Sequence, residues 1–323
     1  MAGSSTVIMG ASGRDRRKKR RITTLKRHGT LIGGILLLIG ASSLIKTLRR
    51  AGLYSLRIDR ALHVGDVHDI RLNRSESSIV DIVRDDPDNP LTPGETLRSV
   101  FLEGRAKLVN VDGRGVPTRV ILKVTELREK RNAEDSIVLL KDSSDIGVTR
   151  RVGGVFEIAC KNDLSPQVED ALSFGLNDFM RPIPRDIRLN ALILDEEERR
   201  LQDEWQLDST QLKLYGAHLL GGTPKSAQGQ AQLTRKDIIG GIPCLVLLTH
   251  SQFKGMAISA TADYRSFAAS SFKVSTAHSL PLDLRQPVVS KSITSVLVGK
   301  AQSRNSLAEA RLTVRVKVIT EID

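Results

Sequence analysis

The stretch Arg311 to Ile322, RLTVRVKVITEI, decides the fold class. Leu312, Val314, Val316 and Val318 recur at period two, with Thr313, Arg315 and Lys317 between them. Period two is the repeat of an extended strand, and this alternation sets one face against a core and the other in water. Antiparallel sheets have that one-sided character. Val120, Leu122 and Val124 repeat the pattern within Arg119 to Leu127.

Working back from that strand, two parts of the chain match. Gly104 to Leu108 (GRAKL) corresponds to Gly229 to Leu233 (GQAQL), and Asp112 to Asp237. One residue is then gained, and Gly115, Val116 and Pro117 correspond to Gly241, Ile242 and Pro243. Val120 to Leu122 answers to Val246 to Leu248, so that eight positions agree across about 21. Upstream, Gly65 to Ile70 resembles Gln202 to Leu207, and Arg84 to Glu95 has the composition of an inserted loop. The expectation is an internal repeat: two duplicated, strongly curved antiparallel sheets, each with a helix packed on it. Asp112 to Gly115 and Ile239 to Gly241 read as hairpin turns, because glycine supplies the positive φ of tight turns.

Helix is sparse. Ser165 and Pro166, with early acids and Gly175 at the end, predict one helix carrying Val168, Ala171 and Leu172 on its buried face. Glu196 to Gln202 reads as a second short, solvated helix, with Asp195–Arg199 and Glu196–Arg200 at i,i+4 spacing.

The N-terminus gives an address. Arg14 to Arg27 is a basic run, and Thr30 to Ile45 (TLIGGILLLIGASSLI) follows without a charge. Basic residues before an apolar segment stay cytoplasmic. The apolar stretch is shorter than the ~20 residues of a full span. An uncleaved anchor is expected, with a signal peptide cleaved near Ala41 to Ser43 as the alternative. The expected organisation is a cytoplasmic tail 1–28, an anchor or signal segment 29–46, a first β-repeat unit 47–180, a linker 181–200 and a second β-repeat unit 201–323. This makes a single-pass membrane protein whose body is extracytoplasmic, periplasmic or at the cell surface. The arrangement looks like that of bacterial envelope proteins, and no site residue is carried over from that likeness.

Charge narrows the partners. Residues 1–50 hold twelve Lys and Arg against Asp15 alone, so most of the net charge of +12 lies there. The remainder is nearly neutral and poor in aromatics, with one Trp and three Tyr in the whole chain. Nucleic-acid binding would ask for a basic face and stacking platforms; no nucleic acid is expected. Cys160 and Cys244 are the two cysteines. Both are expected as buried thiols, with one long-range disulfide as the alternative.

No chemical motif stands out. His63 and His68 are five apart, hence on opposite faces if in one strand. His218, His250 and His278 are scattered. No zinc spacing, phosphate loop or nucleophile elbow is present. Asp85, Asp86, Asp88 and Asn89, like Asp142 to Asp145, lack the ligand spacing of an EF-hand. Asp112 and Asp237 read as turn residues rather than paired acids, and Trp205 as core. No catalytic residue, cofactor or metal site is assigned. The function expected is a non-catalytic binding module for a lipid, an apolar ligand or an envelope protein partner, attached to the membrane through residues 29–46. The alternatives are a structural or assembly component of an envelope complex, and a hydrolase with a dispersed active site.

Overall fold

The computed structural model describes residues 53–54, 56, 62–84, 93–151, 154–181, 187, 192, 198–220, 222–258, 264–303 and 309–322. Two compact units are separable, Met1–Leu53 and Tyr54–Asp323; the account below concerns the second. Its strands are β1 (Val67–Arg84), β2 (Gly94–Val111), β3 (Pro117–Arg131), β4 (Ile137–Lys141), β5 (Ile146–Arg150) and β6 (Phe156–Cys160), followed by helix α1 (Pro166–Leu176). Then come β7 (Glu204–Gln206), helix α2 (Ser209–Leu220), β8 (Ser226–Ile239), β9 (Ile242–Lys254), β10 (Met256–Ile258), β11 (Tyr264–Pro281), β12 (Ser290–Ser303) and β13 (Glu309–Ile322).

These form one antiparallel sheet of 13 strands, ordered β6-β5-β3-β2-β1-β13-β12-β11-β9-β8-β7, with β4 on β3 and β10 on β11. The mainly-β reading holds, but the two curved half-barrels do not exist. The C-terminal strand β13 pairs with β1 from Ile70↔Ile322 to Arg84↔Glu309, which fuses both parts into a single unclosed sheet. The strand that decided the fold class is therefore the seam. It behaves as its sequence predicts: Leu312 and Val318 are buried, and Arg315 and Lys317 are exposed.

The matched stretches are two hairpins within that sheet, β2–β3 and β8–β9, and their details coincide. Gly65 N–H donates to the Leu108 carbonyl at 2.8 Å, and Leu108 N–H to the Asp66 carbonyl at 2.9 Å. At the matched positions, Leu233 N–H donates to the Asp203 carbonyl at 3.1 Å, and Gln202 N–H to the Leu233 carbonyl at 2.6 Å. The register agrees as well: Val67↔Lys107, His68↔Ala106 and Asp69↔Arg105 answer to Glu204↔Gln232, Trp205↔Ala231 and Gln206↔Gln230. Gly104 and Gly229 are needed for the same reason, since an added Cβ would collide with the carbonyl of Lys123 or His250 on the facing strand. After Ile70 and Leu207 the paths part. The first continues as the rest of β1, and the second turns into α2. A 12-residue loop insertion therefore does not account for the different spacings.

Helix α1 starts as expected: the Ser165 hydroxyl accepts from Val168 N–H at 3.3 Å, and Pro166 occupies the first turn. It does not stop at Gly175, where the missing side chain instead admits Val100 of β2. The expected helix at Glu196 to Gln202 is absent over its described residues: Arg199–Arg200 is extended and Gln202 has φ 71°. The helix missed in the sequence is α2, capped by Asp208, whose carboxylate accepts from Gln211 N–H at 2.7 Å. Two apolar cores cover one face of the sheet. One joins α1 to β1, β2, β3 and β5; the other joins α2 to β8, β9 and β11.

The expected membrane segment, residues 29–46, lies outside the described residues. Among the described residues no helix is long and apolar enough to cross a membrane. The expected single-pass anchor, with its extracytoplasmic body and envelope partner, therefore has no spanning helix among the described residues to rest on.

Candidate functional site

Neighbouring residues across an antiparallel sheet point to one face, so transverse rows show what that face carries. One row runs Leu247 (β9), His278 (β11), Lys291 (β12), Thr320 (β13), Leu72 (β1) and Leu102 (β2). Its ends are buried leucines of the two cores. Its middle is polar. The next row runs Thr249, Thr276, Ile293, Val318, Arg74 and Val100.

A cavity of about 240 Å³ lies over the middle of these rows, between the two cores. Its floor includes Thr276, His278, Lys291, Ile293 and Thr320. Tyr215, His218 and Leu219 of α2 wall it, with Asp178, Phe179 and Arg181 from the segment after α1 and Val116 and Pro117 from the β2–β3 turn. Apolar surface dominates the lining.

Most polar groups there already have partners. Thr249 and Thr276 hydroxyls bond each other at 2.6 Å. Arg74 donates to the Asp178 carboxylate at 2.6 Å, and its guanidinium lies 4.5 Å from the centre of the Phe174 ring. Arg181 stands 3.8 Å from the other Asp178 oxygen and donates to the Leu219 carbonyl at 3.3 Å. Two groups are different. His278 is 5% exposed, and its Nδ1 has no hydrogen-bond partner. Burial, with the Lys291 charge as a lesser cause, pushes its imidazole down to about 3. Among the described residues Lys291 has no carboxylate within ion-pair distance. Burial pushes its ammonium below the ordinary lysine range, an effect that the Asp178 charge opposes and Arg181 reinforces. Tyr215 is pushed up by burial. Lys291 and Tyr215 are only half-buried by surface, so desolvated groups that keep accessible surface line an internal space.

The residues weighed in the sequence fall elsewhere or change role. His63 and His68 are not on opposite faces of a strand. His63 lies in the turn before β1, and both rings approach Asp66 Oδ2, at 3.7 and 3.8 Å. Among the described residues no group of His, Cys, Asp and Glu is arranged to hold a metal ion. His250 bonds the Ser275 hydroxyl at 2.9 Å on the open face, and no carboxylate among the described residues bonds that histidine. Of the described histidines, His218 and His278 alone line the cavity. Asp112 serves its own turn, accepting from Arg114 and Val116 N–H at 2.8 and 3.0 Å. Asp237 sits within β8, opposite Cys244. Asp85, Asp86, Asp88 and Asn89 lie outside the described residues. The Asp142 to Asp145 segment is a turn in which the Ser143 hydroxyl accepts from Val124 N–H at 2.9 Å. Trp205 packs on the second core, with Arg199 4.8 Å from its ring centre. Cys160 on β6 and Cys244 on β9 lie in opposite halves of the sheet and form no disulfide; Cys244 is buried and Cys160 half-buried.

Lys291, Asp178, Arg181 and Tyr215 were missed. A faint signal existed for His278, which shares the strand parity of Phe272, Val274 and Leu280. A histidine on the apolar parity of a strand faces the core.

No family model matches this chain, and no curated protein matches it. Among solved structures, one of lipovitellin concerned with its lipid–protein interactions aligns over 81% of this chain at 10% identity, with a TM-score of 0.33. This chain spans 25% of that one. Mutants of the Rh. blastica porin align over 80% of this chain and 99% of theirs, at 8% identity and a TM-score of 0.17, or over 79% and 100% at 9% and 0.17. These likenesses are too weak to carry an argument about function.

Proposed function

We propose that the chain is a binding module for an apolar small molecule, held in the cavity between the two cores. The observation that carries this reading is the cavity itself, about 240 Å³ in volume and mostly apolar in lining. It exceeds the ~150 Å³ of an apolar cavity that admits benzene. It falls near the lower end of the ~300–1,000 Å³ typical of ligand pockets. A medium-chain or single-ring molecule fits that size, and burial of its apolar surface supplies the affinity, at about 25 cal/mol per Å².

The test is isothermal titration of the full chain with decanol, alongside the cavity-filling variants Val274→Trp and Ile293→Trp. The expected result is saturable one-to-one binding that both variants abolish while the chain keeps its circular dichroism. Absence of saturable binding, or binding that survives both fillings, overturns the reading.

A further inference from the structure

We propose that the ligand of this cavity is an amphiphile with a single negative charge, such as a medium-chain carboxylate, and that Lys291 and His278 receive its charged group. This rests on the cavity being the binding site.

Lys291 and His278 stand directly opposite each other on β12 and β11, and both line the cavity. Most polar groups around them have partners, although Arg74 Nε is another buried atom without one among the described residues. The Thr249 and Thr276 hydroxyls are taken by each other, and Asp178 is held by Arg74 at 2.6 Å. Arg181 is turned to Asp178 and to a carbonyl of α2. That leaves one ammonium without an ion-pair partner among the described residues and one buried imidazole nitrogen, Nδ1, without a hydrogen bond. Buried polar groups are almost always paired in native proteins, and a buried charge without a counter-charge is costly. The two side chains stand side by side in the lining of one apolar space, where an oxyanion would accept from the half-buried ammonium and, after a turn of the ring that brings its buried Nδ1–H to the cavity surface, from the imidazole.

The charge count selects the class. Of the cations that line the cavity, Arg114 donates to the Ile187 carbonyl and Arg181 faces Asp178, which leaves Lys291 to balance one negative charge on the ligand, so a carboxylate or a phosphodiester fits better than a dianion. Apolar walls ask for a hydrocarbon body, so the free inorganic anion is not the ligand. Charge-assisted hydrogen bonds in a desolvated site are shorter and stronger than neutral ones.

The experiment compares decanoate, decyl phosphate and decanol on the full chain by isothermal titration. Decanoate is expected to bind about 10- to 100-fold more tightly than decanol, the range of one buried charged hydrogen bond. Lys291→Met should erase that difference, and Lys291→Arg should retain much of it. Lys291→Gln serves as a second neutral variant, each one's melting temperature reporting that it is folded. Decyl phosphate carries about −1.5 to −2 charges near pH 7, so its binding more tightly than decanoate would overturn the single-charge assignment. Equal binding of decanoate and decanol, or a preference that survives both Lys291→Met and Lys291→Gln, overturns the inference while leaving the apolar cavity as the site. Failure of all three ligands to bind overturns the cavity reading itself.

Discussion

Asp66 and Asp203 close the same turn at two places in one sheet. The Asp66 carboxylate accepts from His63 N–H at 2.8 Å, and the Asp203 carboxylate from Arg200 N–H at 2.7 Å. In each turn the aspartate N–H returns the bond, to the His63 carbonyl at 3.2 Å and the Arg200 carbonyl at 3.1 Å. The residue before each aspartate, Gly65 or Gln202, has positive φ, 94° and 71°. The turn then delivers its chain into the same register against β2 or β8.

Removing either carboxylate orphans one backbone donor and loosens the entry to a strand. Asp66→Ala and Asp203→Ala should each cost about 1 kcal/mol. The sites share no partners, so the double variant should cost the sum. Urea unfolding checks this: the midpoint falls with the slope unchanged. A double variant no less stable than either single one would show that the turns do not contribute independently.

The strand alternation and the resemblance between the two stretches were readable because local pattern and tertiary environment agree there. The sequence could not tell that β13 would pair with β1, because each sheet edge offers the same backbone groups and the choice of neighbour is tertiary. The same limit hid the divergence after Leu207. Leu212, Tyr215 and Leu219 have helical spacing after the capping Asp208, but resemblance to Gly65–Ile70 pulls the reading toward a strand. The site was less legible still. Lys291, His278 and Asp178 lie on three separate elements, and only the transverse register brings the first two together. A lone lysine in a serine- and threonine-rich strand has no motif to mark it.

His278 sets an acid limit on stability. Its folded pKa of about 3 lies below the ordinary value of 6.5, so the unfolded chain takes up its proton first. The stabilisation is fully present above pH 6.5 and lost as pH falls toward 3. The slope is at most about 1.4 kcal/mol per pH unit. Chemical denaturation at pH 7.5, 6 and 5 should show it, and His278→Phe should flatten the profile between pH 6.5 and 5. A variant that keeps the wild-type slope there would assign the loss to other groups.

Glu129 anchors α1 by a different balance. Its carboxylate, 3% exposed, accepts from Arg98 at 2.8 Å and from Gln167 of α1 at 3.1 Å, with Arg131 at 3.0 Å. Burial pushes this carboxyl up, but the hydrogen bonds from Arg131 and Gln167 and the Arg98 charge hold it below the ordinary glutamate range overall. A depressed carboxylate stabilises above its unfolded pKa, about 4.3. That contribution is lost as pH falls below it. Glu129→Leu takes one of two counter-charges from the half-buried Arg98, which keeps Asp170 at 2.6 Å, and should cost roughly 1–2 kcal/mol at pH 7. Glu129→Gln should cost less. Hydrogen exchange should localise the extra opening to α1 and β3; uniform loosening of both cores would count against this anchoring role.

Gly216 ties α2 to the sheet beneath it. A Cβ added there would stand 2.6 Å from Cδ1 and 2.7 Å from Cε1 of Phe253. Phe253 is fully buried, and its ring centre lies 5.6 Å from that of Phe272. Gly216→Ala therefore forces α2 outward or Phe253 off its rotamer, at about 1–3 kcal/mol. The better helix propensity of alanine, worth up to about 1 kcal/mol, offsets only part of this. Gly113 makes a fair control: it is exposed, and a Cβ there would meet nothing within 4 Å. Gly113→Ala should leave the melting temperature within about a degree. Because Tyr215 and Leu219 of the same helix wall the cavity, Gly216→Ala should also weaken decanol binding. Gly113→Ala should not, although its loop neighbours Arg114 to Pro117 reach the cavity rim. If the Gly216→Ala chain melts with the wild type and binds decanol equally well, α2 has slack that this contact does not suggest.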